Sequence, residues 1–128
     1  MQDYRKLRVW QAAHALVLKI YLVTKRFPAA ERYGLTAQLR RSCCSIPANI
    51  AEGSMRSSDP GFGHFVQIAA ASASESDYHL LLARDLGYLP PEIHEQLAAE
   101  LQSLRRGLSA LQKSLKKSAP IRKSRVVS

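Results

Sequence analysis

Leucines in the last third of the chain recur at alternating steps of four and three residues, and this spacing constrains the fold most. The set comprises Leu97, Leu101, Leu104, Leu108, Leu111 and Leu115. Such steps place apolar side chains along one side of an α-helix, here over almost three heptads. Pro90-Pro91 precedes the run, and proline is favoured in the first turn of a helix. The sequence therefore predicts a helix over residues 91–117 that buries this stripe against other helices.

Three earlier segments carry apolar residues at similar steps. We predict helices over residues 4–27, 34–53 and 60–87. The first ends at Phe27-Pro28, because a residue that precedes proline disfavours helical dihedral angles. The second contains Pro47, and its apolar stripe keeps its phase across the proline, which predicts one kinked helix instead of two.

The third predicted helix starts after Asp59-Pro60, with Asp59 as N-cap, and stops at Gly87. Its middle is rich in small residues between Ala69 and Ser74, which is typical of a close contact between helices.

These four segments predict an all-α fold, an up-and-down four-helix bundle. Aromatic residues make up only 7% of the chain, and 6 Gly and 6 Pro are few for a turn-rich β fold. We expect residues 1–118 to form the bundle and residues 119–128 to form a disordered basic tail, with no second domain.

Other protein classes are disfavoured by the sequence. No apolar run approaches the roughly 18 residues of a membrane span, and no apolar segment typical of a signal peptide follows the N-terminus. The two cysteines are the neighbours Cys43 and Cys44, which are poorly placed to cross-link distant segments. These features predict a cytoplasmic protein with free thiols.

The formal net charge of +9 is concentrated at the C-terminal end. Residues 1–112 contain 13 basic and 10 acidic side chains, whereas residues 113–128 contain six basic side chains and no acidic one. The tail is either a solubilising segment or an arm that binds polyanions, and composition leaves both open.

Nine basic residues are candidates for contact with nucleic acid. The first set is Lys113, Lys116, Lys117, Arg122, Lys123 and Arg125, and the second set is Arg40, Arg41 and Arg56. The chain lacks an aromatic stacking platform and a known RNA-binding motif, so sequence-specific reading of bases is not expected.

No pattern predicts a metal, a cofactor or a catalytic residue. The four histidines are scattered, and Cys43-Cys44 lacks a partner pair at zinc spacing. The segment Ser72–Ser76 lies near Asp77 and His79, but we expect residues 75, 77 and 79 to point to different sides of a helix. Gly61-Phe-Gly63 does not match a phosphate-binding loop. The sequence predicts that the protein is not an enzyme.

A stripe of polar residues lies on one side of the second predicted helix. With a carboxylate of the third helix it is interpreted as a structural network of Arg41, Ser45, Asn49, Glu52 and Glu75. Asn49 and Glu52 are expected to pair across the bundle with Glu75 or with an arginine, because unpaired buried polar groups are costly. A binding surface is the alternative interpretation.

Several of these segments resemble the four-helix-bundle family of the 23S rRNA intervening-sequence protein. The matching segments are Trp10-Gln-Ala-Ala, Phe27-Pro28, Glu31-Arg-Tyr-Gly-Leu35, Gln38-Leu-Arg-Arg41, Ser45-Ile-Pro-Ala-Asn-Ile-Ala-Glu-Gly53 with Arg56, Phe65-Val-Gln-Ile-Ala69, Ser72 and Glu75. The resemblance spans roughly residues 5–90, and Ser45–Gly53 is its most specific part. Gly61 and Gly63 depart from the family pattern, which leaves a start of the third helix one turn later open.

The resemblance implies a small cytoplasmic bacterial protein that assembles as a homopentamer and has no defined biochemical activity. The family is also distantly similar to the accessory variability determinant of diversity-generating retroelements, which works with RNA and a reverse transcriptase. Fold similarity alone does not transfer that role.

These observations predict a non-enzymatic oligomeric bundle of undefined biological role that binds RNA or another polyanion electrostatically. The alternative is a scaffold for a protein partner with no nucleic-acid role. Oligomer formation is expected because Trp10, Tyr21, Tyr33 and the small residues around Ala69–Ala73 exceed what one thin bundle buries. Subunit number does not follow from the sequence.

Overall fold

The structure is a computed structural model that describes residues 3–118. It contains α1 (Arg8–Thr24), α2 (Leu35–Ser54), α3 (Asp59–Asp85) and α4 (Pro91–Ser118), with short 3-10 helices at Tyr4–Lys6 and Ala29–Glu31. The predicted all-α four-helix fold is confirmed, and no strand occurs in this range. The predicted tail over residues 119–128 lies outside the described residues.

The first helix is shorter than the predicted span of residues 4–27. Asp3 caps the 3-10 turn by accepting a hydrogen bond from the Arg5 backbone N–H at 3.1 Å. Leu7 then adopts an extended conformation with φ −77° and ψ 128°, so α1 starts only at the next residue. At the other end α1 stops at Thr24, and Phe27 is reached through a turn in which its N–H donates to the Thr24 carbonyl at 3.1 Å.

The second helix runs without interruption through Pro47, so the prediction of one helix instead of two is confirmed. Its first turn is held by Glu31, whose Oε1 accepts a hydrogen bond from the Leu35 N–H at 3.0 Å. The other carboxylate oxygen of Glu31 accepts from the Tyr88 hydroxyl at 2.9 Å. Glu31 therefore ties the start of α2 to the turn between α3 and α4.

The third helix begins at Asp59 and not one turn later, so glycine at positions 61 and 63 does not delay it. Its N-cap is Ser58, not the expected Asp59, because the Ser58 Oγ accepts the Gly61 N–H at 3.2 Å. At the other end Gly87 has φ +82°, a backbone conformation that favours glycine. The Tyr88 N–H then donates to the Ala83 carbonyl at 2.9 Å, a Schellman-type closure.

Each helix packs against two neighbours. Both α1 and α3 contact α2 and α4, so α1 and α3 lie diagonally opposite each other in the bundle. Leu97, Leu101, Leu104 and Leu108 of the leucine stripe are buried, whereas Leu111 and Leu115 are only partly buried. Helices α2 and α3 approach each other closely at Gly53, where an added Cβ would lie 2.8 Å from Phe65 Cβ.

The up-and-down order brings four helix ends together, which we name the tail end: the starts of α1 and α3 and the ends of α2 and α4. A Cβ on Gly107 of α4 would lie 3.6 Å from Val9 near the start of α1, as this arrangement requires. Within residues 3–118, no helix is long and apolar enough to cross a membrane.

Candidate nucleic-acid interface

Buried hydroxyl groups form a polar seam between α2 and α3. The hydroxyl oxygens of Ser42 and Ser76 lie 2.9 Å apart, and both residues are fully buried. Ser42 Oγ is also 3.3 Å from the Nδ1 of His79. Because buried polar groups are costly unless hydrogen-bonded, these contacts favour one register of α3 against α2.

The seam continues toward the tail end through Ser45. Its hydroxyl accepts a hydrogen bond from Ser72 Oγ at 2.8 Å and another from Asn49 Nδ2 at 2.9 Å. The Asn49 amide also donates to the Ser45 carbonyl at 2.8 Å. Asn49 thus pairs within its own helix. The expected pairing with a charged residue across the bundle does not occur among the described residues.

A carboxylate closes the outer edge of the seam. Glu75 pairs with the Arg41 guanidinium, and its Oε2 lies 3.8 Å from His79 Nε2. The expectation that residues 75, 77 and 79 point to different sides was wrong for Glu75 and His79, because residues four apart on a helix are neighbours. Asp77 lies away from them, 3.8 Å from Arg105 of α4.

Ser42, His79 and Glu75 follow the order of a hydrolase triad, but they are placed for packing. Ser42 is 0% exposed, so no substrate reaches its hydroxyl. Burial lowers the pKa of His79 below its usual range, and Arg41 adds to that effect while Glu75 opposes it. The seam therefore holds a neutral imidazole between two helices at neutral pH.

Glu52, the remaining member of the predicted network, lies outside the seam. It is exposed and pairs with Arg56 one turn later on α2. The Arg56 guanidinium also lies over the Phe65 ring, 4.6 Å from its centroid. This pair occupies the tail end and does not connect to Glu75.

All three arginines of the second predicted set make contacts within the chain. Arg40 donates from Nε to Thr24 Oγ1 at 2.8 Å and stacks over the Tyr21 ring at 4.5 Å. Arg41 and Arg56 are paired with carboxylates. The charges of Arg41 and Arg56 are therefore compensated locally, whereas Arg40 is held by neutral groups of α1. These contacts within the chain make the three arginines weaker candidates for phosphate contact than exposed lysines without a partner carboxylate.

The first predicted set is placed differently. Lys113, Lys116 and Lys117 are exposed on the last turns of α4, and within residues 3–118 none has a carboxylate at ion-pair distance. The other members of this set, Arg122, Lys123 and Arg125, lie outside the described residues. The sequence beyond Glu100 contains no acidic residue, so the last part of α4 carries positive charge only.

Two of these lysines, Lys113 and Lys116, border a groove between α3 and α4 that the sequence did not indicate. Its volume is about 450 Å³, and Lys113, Lys116, Arg105, Gln67 and Gln112 are among its lining residues. The groove continues toward Asp59 as a smaller space of about 290 Å³. Gln112 lies four residues after Leu108, at the edge of the leucine stripe. This position was the only feature of the sequence that could have indicated the groove.

The described residues offer no metal site, since no group of three or more His, Cys, Asp or Glu side chains converges among them. Cys43 is fully buried, and burial raises the pKa of its thiol to about 12. Its neighbour Cys44 is partly exposed, with its Sγ 3.5 Å from the Tyr21 hydroxyl.

Apolar surface is exposed at Tyr21 and Tyr33, as expected, and also at positions that the sequence did not indicate. Leu18 and Leu22, one turn apart on α1, are 58% and 65% exposed, and Tyr33 is 87% exposed. Ala69 and Ala73, in contrast, are fully buried within the chain. The buried part of the small-residue segment therefore serves packing inside the bundle, and Leu18 and Leu22 are among the exposed residues that the sequence did not indicate.

Comparison with known proteins identifies a family and a related solved structure. The sequence pattern of the 23S rRNA-intervening sequence protein family matches residues 5–110. A crystal structure from Bacteroides thetaiotaomicron, of a protein with unknown function from the S23 ribosomal protein family, is 26% identical with a TM-score of 0.75. The similarity covers 82% of this chain and 98% of that one. No curated protein matches the sequence.

Proposed function

This chain belongs to the 23S rRNA-intervening sequence protein family, and we propose that it is a non-enzymatic bundle that binds RNA electrostatically. The protein of known structure in the comparison has no stated function, so the support comes from this chain. The observation that carries the proposal is the charge at the tail end, where Lys113, Lys116 and Lys117 are exposed and have no ion pair among residues 3–118, and no acidic residue follows Glu100.

Unpaired lysines suit this role because RNA affinity of this kind comes from phosphate neutralisation. Each neutralised phosphate releases condensed counterions, which favours binding at low salt. A lysine already paired with a carboxylate gains little from this exchange. Lys19, whose ammonium group lies 2.7 Å from Glu100, is such a case. Contacts of this kind position a protein on RNA without reading its sequence.

Charge-neutralising variants of the full chain test the proposal. We expect a triple Lys113→Gln, Lys116→Gln, Lys117→Gln variant to weaken binding to a single-stranded RNA. Its slope of log affinity against log salt should decrease by about 2, since each lost contact removes about 0.7. The measurement is fluorescence anisotropy over a series of salt concentrations.

A matched variant with the same loss of charge controls for net charge alone. Lys25, Arg26 and Arg32 are exposed at the opposite end of the bundle, and their triple change to glutamine should leave the slope nearly unchanged. Equal weakening by both triple variants would contradict a defined interface at the tail end.

We also propose that the chain self-associates, and the exposed Leu18 and Leu22 on α1 support this. Two exposed leucines one turn apart form the start of an apolar contact surface. The assembly of five subunits is implied by the family resemblance alone. Light scattering should give a mass well above the 14.2 kDa of one chain, and a mass of one chain would refute self-association.

One observation favours the alternative of a protein-binding scaffold. An apolar groove of about 510 Å³ lies between the end of α1 and the turn before α4, with Leu22, Tyr88 and Ile93 among its lining residues. Purification from cell lysate with and without nuclease separates the two functions. A partner protein that is retained after nuclease treatment supports the scaffold, whereas a partner lost with the RNA supports RNA binding.

A further inference from the structure

Large apolar side chains are exposed on the two helices that lie diagonally opposite each other. Leu18 and Leu22 are exposed on α1, and Tyr78 and Leu81 are exposed on α3. In the part of the chain that the structure describes, α2 and α4 expose no large apolar side chain. Because α1 and α3 are diagonal, their outward faces point in opposite directions, so the bundle carries one apolar surface on each of two opposite sides.

The two surfaces lie at the same level of the bundle. Both helices run away from the tail end, and on each side the apolar residues occupy about the last two turns. Just beyond the two helix ends, the rings of Phe27 and Tyr88 are in contact, with centroids 5.7 Å apart. A second copy placed beside the first in the same orientation therefore brings its α3 surface level with the α1 surface.

Positive charge accompanies the apolar residues of α1. Residues 8–26, which include α1, contain four basic side chains and no acidic one. Lys25 and Arg26 line the same groove as Leu22, and in the described part of the chain neither has a carboxylate at ion-pair distance. We name Leu18, Leu22, Lys25 and Arg26 the basic surface.

Negative charge accompanies the apolar residues of α3. Residues 59–85 contain four acidic side chains and one basic side chain. Asp77 and Asp85 lie one turn before and one turn after Leu81, on the same side of the helix. Their carboxylates lie 3.8 Å and 2.9 Å from arginines of the same chain, in exposed pairs that contribute little, so an exchange of partners costs little. We name Asp77, Tyr78, Leu81 and Asp85 the acidic surface.

Charge determines which of these surfaces can face each other. Two basic surfaces in contact, or two acidic surfaces in contact, would place like charges together, which is unfavourable. A basic surface in contact with an acidic one buries the apolar side chains of both and brings lysine and arginine beside aspartate. The complementary contact is therefore favoured over either contact between like surfaces.

We propose that the basic surface of one copy of this chain binds the acidic surface of the next copy. The inference rests on the proposed self-association and adds to it which two surfaces meet. Each copy in such a contact keeps a second surface for a further neighbour. The contact therefore repeats from copy to copy, and it closes into a ring when the rotations between copies complete a full turn.

Two variants of the full chain, each with one surface disabled, test the inference. Leu18→Glu with Leu22→Glu places negative charge opposite the aspartates, and Tyr78→Lys with Leu81→Lys places positive charge opposite the lysine and arginine. All four positions are exposed, and Glu and Lys are good helix formers, so both variants should keep the wild-type circular dichroism spectrum. By light scattering, the wild-type protein should exceed the 14.2 kDa of one chain, and each variant alone should match it.

An equimolar mixture of the two variants is the decisive sample. Each variant keeps one intact surface, and these two intact surfaces are complementary. The two altered surfaces offer each other no apolar contact, only exposed ion pairs that contribute little. The mixture should therefore form a pair with twice the mass of one chain and nothing larger.

Met55→Glu is the matched control. Met55 is exposed just after α2, at the tail end, and belongs to neither surface. This variant should keep the mass of the wild-type protein. A fall to the mass of one chain would contradict an interface made of the basic and acidic surfaces.

The remaining outcomes separate this inference from the proposed self-association. A wild-type protein with the mass of one chain would overturn self-association itself. If the wild-type protein is an oligomer, loss of mass in only one of the two variants would indicate contact between like surfaces and overturn the inference. Wild-type mass in both variants, or a mixture that stays at the mass of one chain, would overturn it as well.

Discussion

Gly53 ends the Ser45–Gly53 segment, and replacing it with alanine is expected to force α2 and α3 apart. A Cβ at this position would lie 2.8 Å from Phe62 Cδ1, 2.8 Å from Phe65 Cβ and 3.2 Å from the Phe62 carbonyl oxygen. The Phe62 ring can rotate away. Phe65 Cβ and the Phe62 carbonyl belong to or adjoin the backbone, so relief requires a shift of α3 itself.

The magnitude follows from two opposing effects. Overpacking a well-packed core costs about 1–3 kcal/mol, and contact with two near-backbone atoms places Gly53→Ala at the upper end. Alanine is favoured over glycine within a helix by about 1 kcal/mol. The expected net loss is about 2 kcal/mol, which lowers Tm by roughly 6–10 °C for a domain of this size.

The assay is chemical and thermal unfolding followed by circular dichroism, with Gly107→Ala as the matched control. A Cβ on Gly107 would lie 3.6 Å from Val9 Cγ2, an ordinary contact, so this variant should gain about 1 kcal/mol. If Gly53→Ala were as stable as the wild-type protein, the close approach of α2 and α3 at this glycine would be refuted.

Two further predictions concern the polar seam and the thiols. Burial lowers the pKa of His79 below its ordinary value of 6.5, so the unfolded chain binds a proton that the folded chain does not. Stability is therefore complete above about pH 6.5 and is lost as pH falls from there toward the folded pKa. His79→Gln should lose less Tm than the wild-type protein between pH 8 and pH 5.5, and identical losses would count against the seam. Cys43, buried and with a pKa raised to about 12, should react with a thiol reagent only as the chain unfolds, whereas the partly exposed Cys44 should react first. Equal rates in the native protein would contradict this burial.

The number and order of the helices could be predicted because each buries a stripe with helical period. The leucine stripe of α4 and the apolar stripe that continues across Pro47 in α2 are both visible in the local sequence, and both are buried by helix packing. The start of α1 could not be predicted, because the extended residue Leu7 follows a 3-10 turn that Asp3 caps. The N-cap of α3 fell on Ser58 in place of Asp59, since both residue types cap well and adjacent positions compete.

The candidate site was less predictable, because it depends on contacts between helices. The sequence placed Ser45 and Asn49 on one face but did not indicate that Ser72 would be their partner on α3. The exposure of the lysines at the end of α4 could be predicted, because charged side chains concentrated in one segment are ordinarily solvated. The burial of the Gln112 side-chain oxygen could not be predicted from the sequence, because it depends on how α3 packs against α4. A glutamine at the edge of an apolar stripe is ordinarily solvated.

The most direct test of RNA binding by this chain is the salt dependence of fluorescence anisotropy, with a single-stranded RNA and the full-length protein between 50 mM and 200 mM salt. Electrostatic binding through several phosphates predicts a linear fall of log affinity with log salt, with a slope of about −0.7 for each phosphate contacted. Affinity that does not change with salt, or no binding at 50 mM, would contradict RNA binding through the basic end of α4.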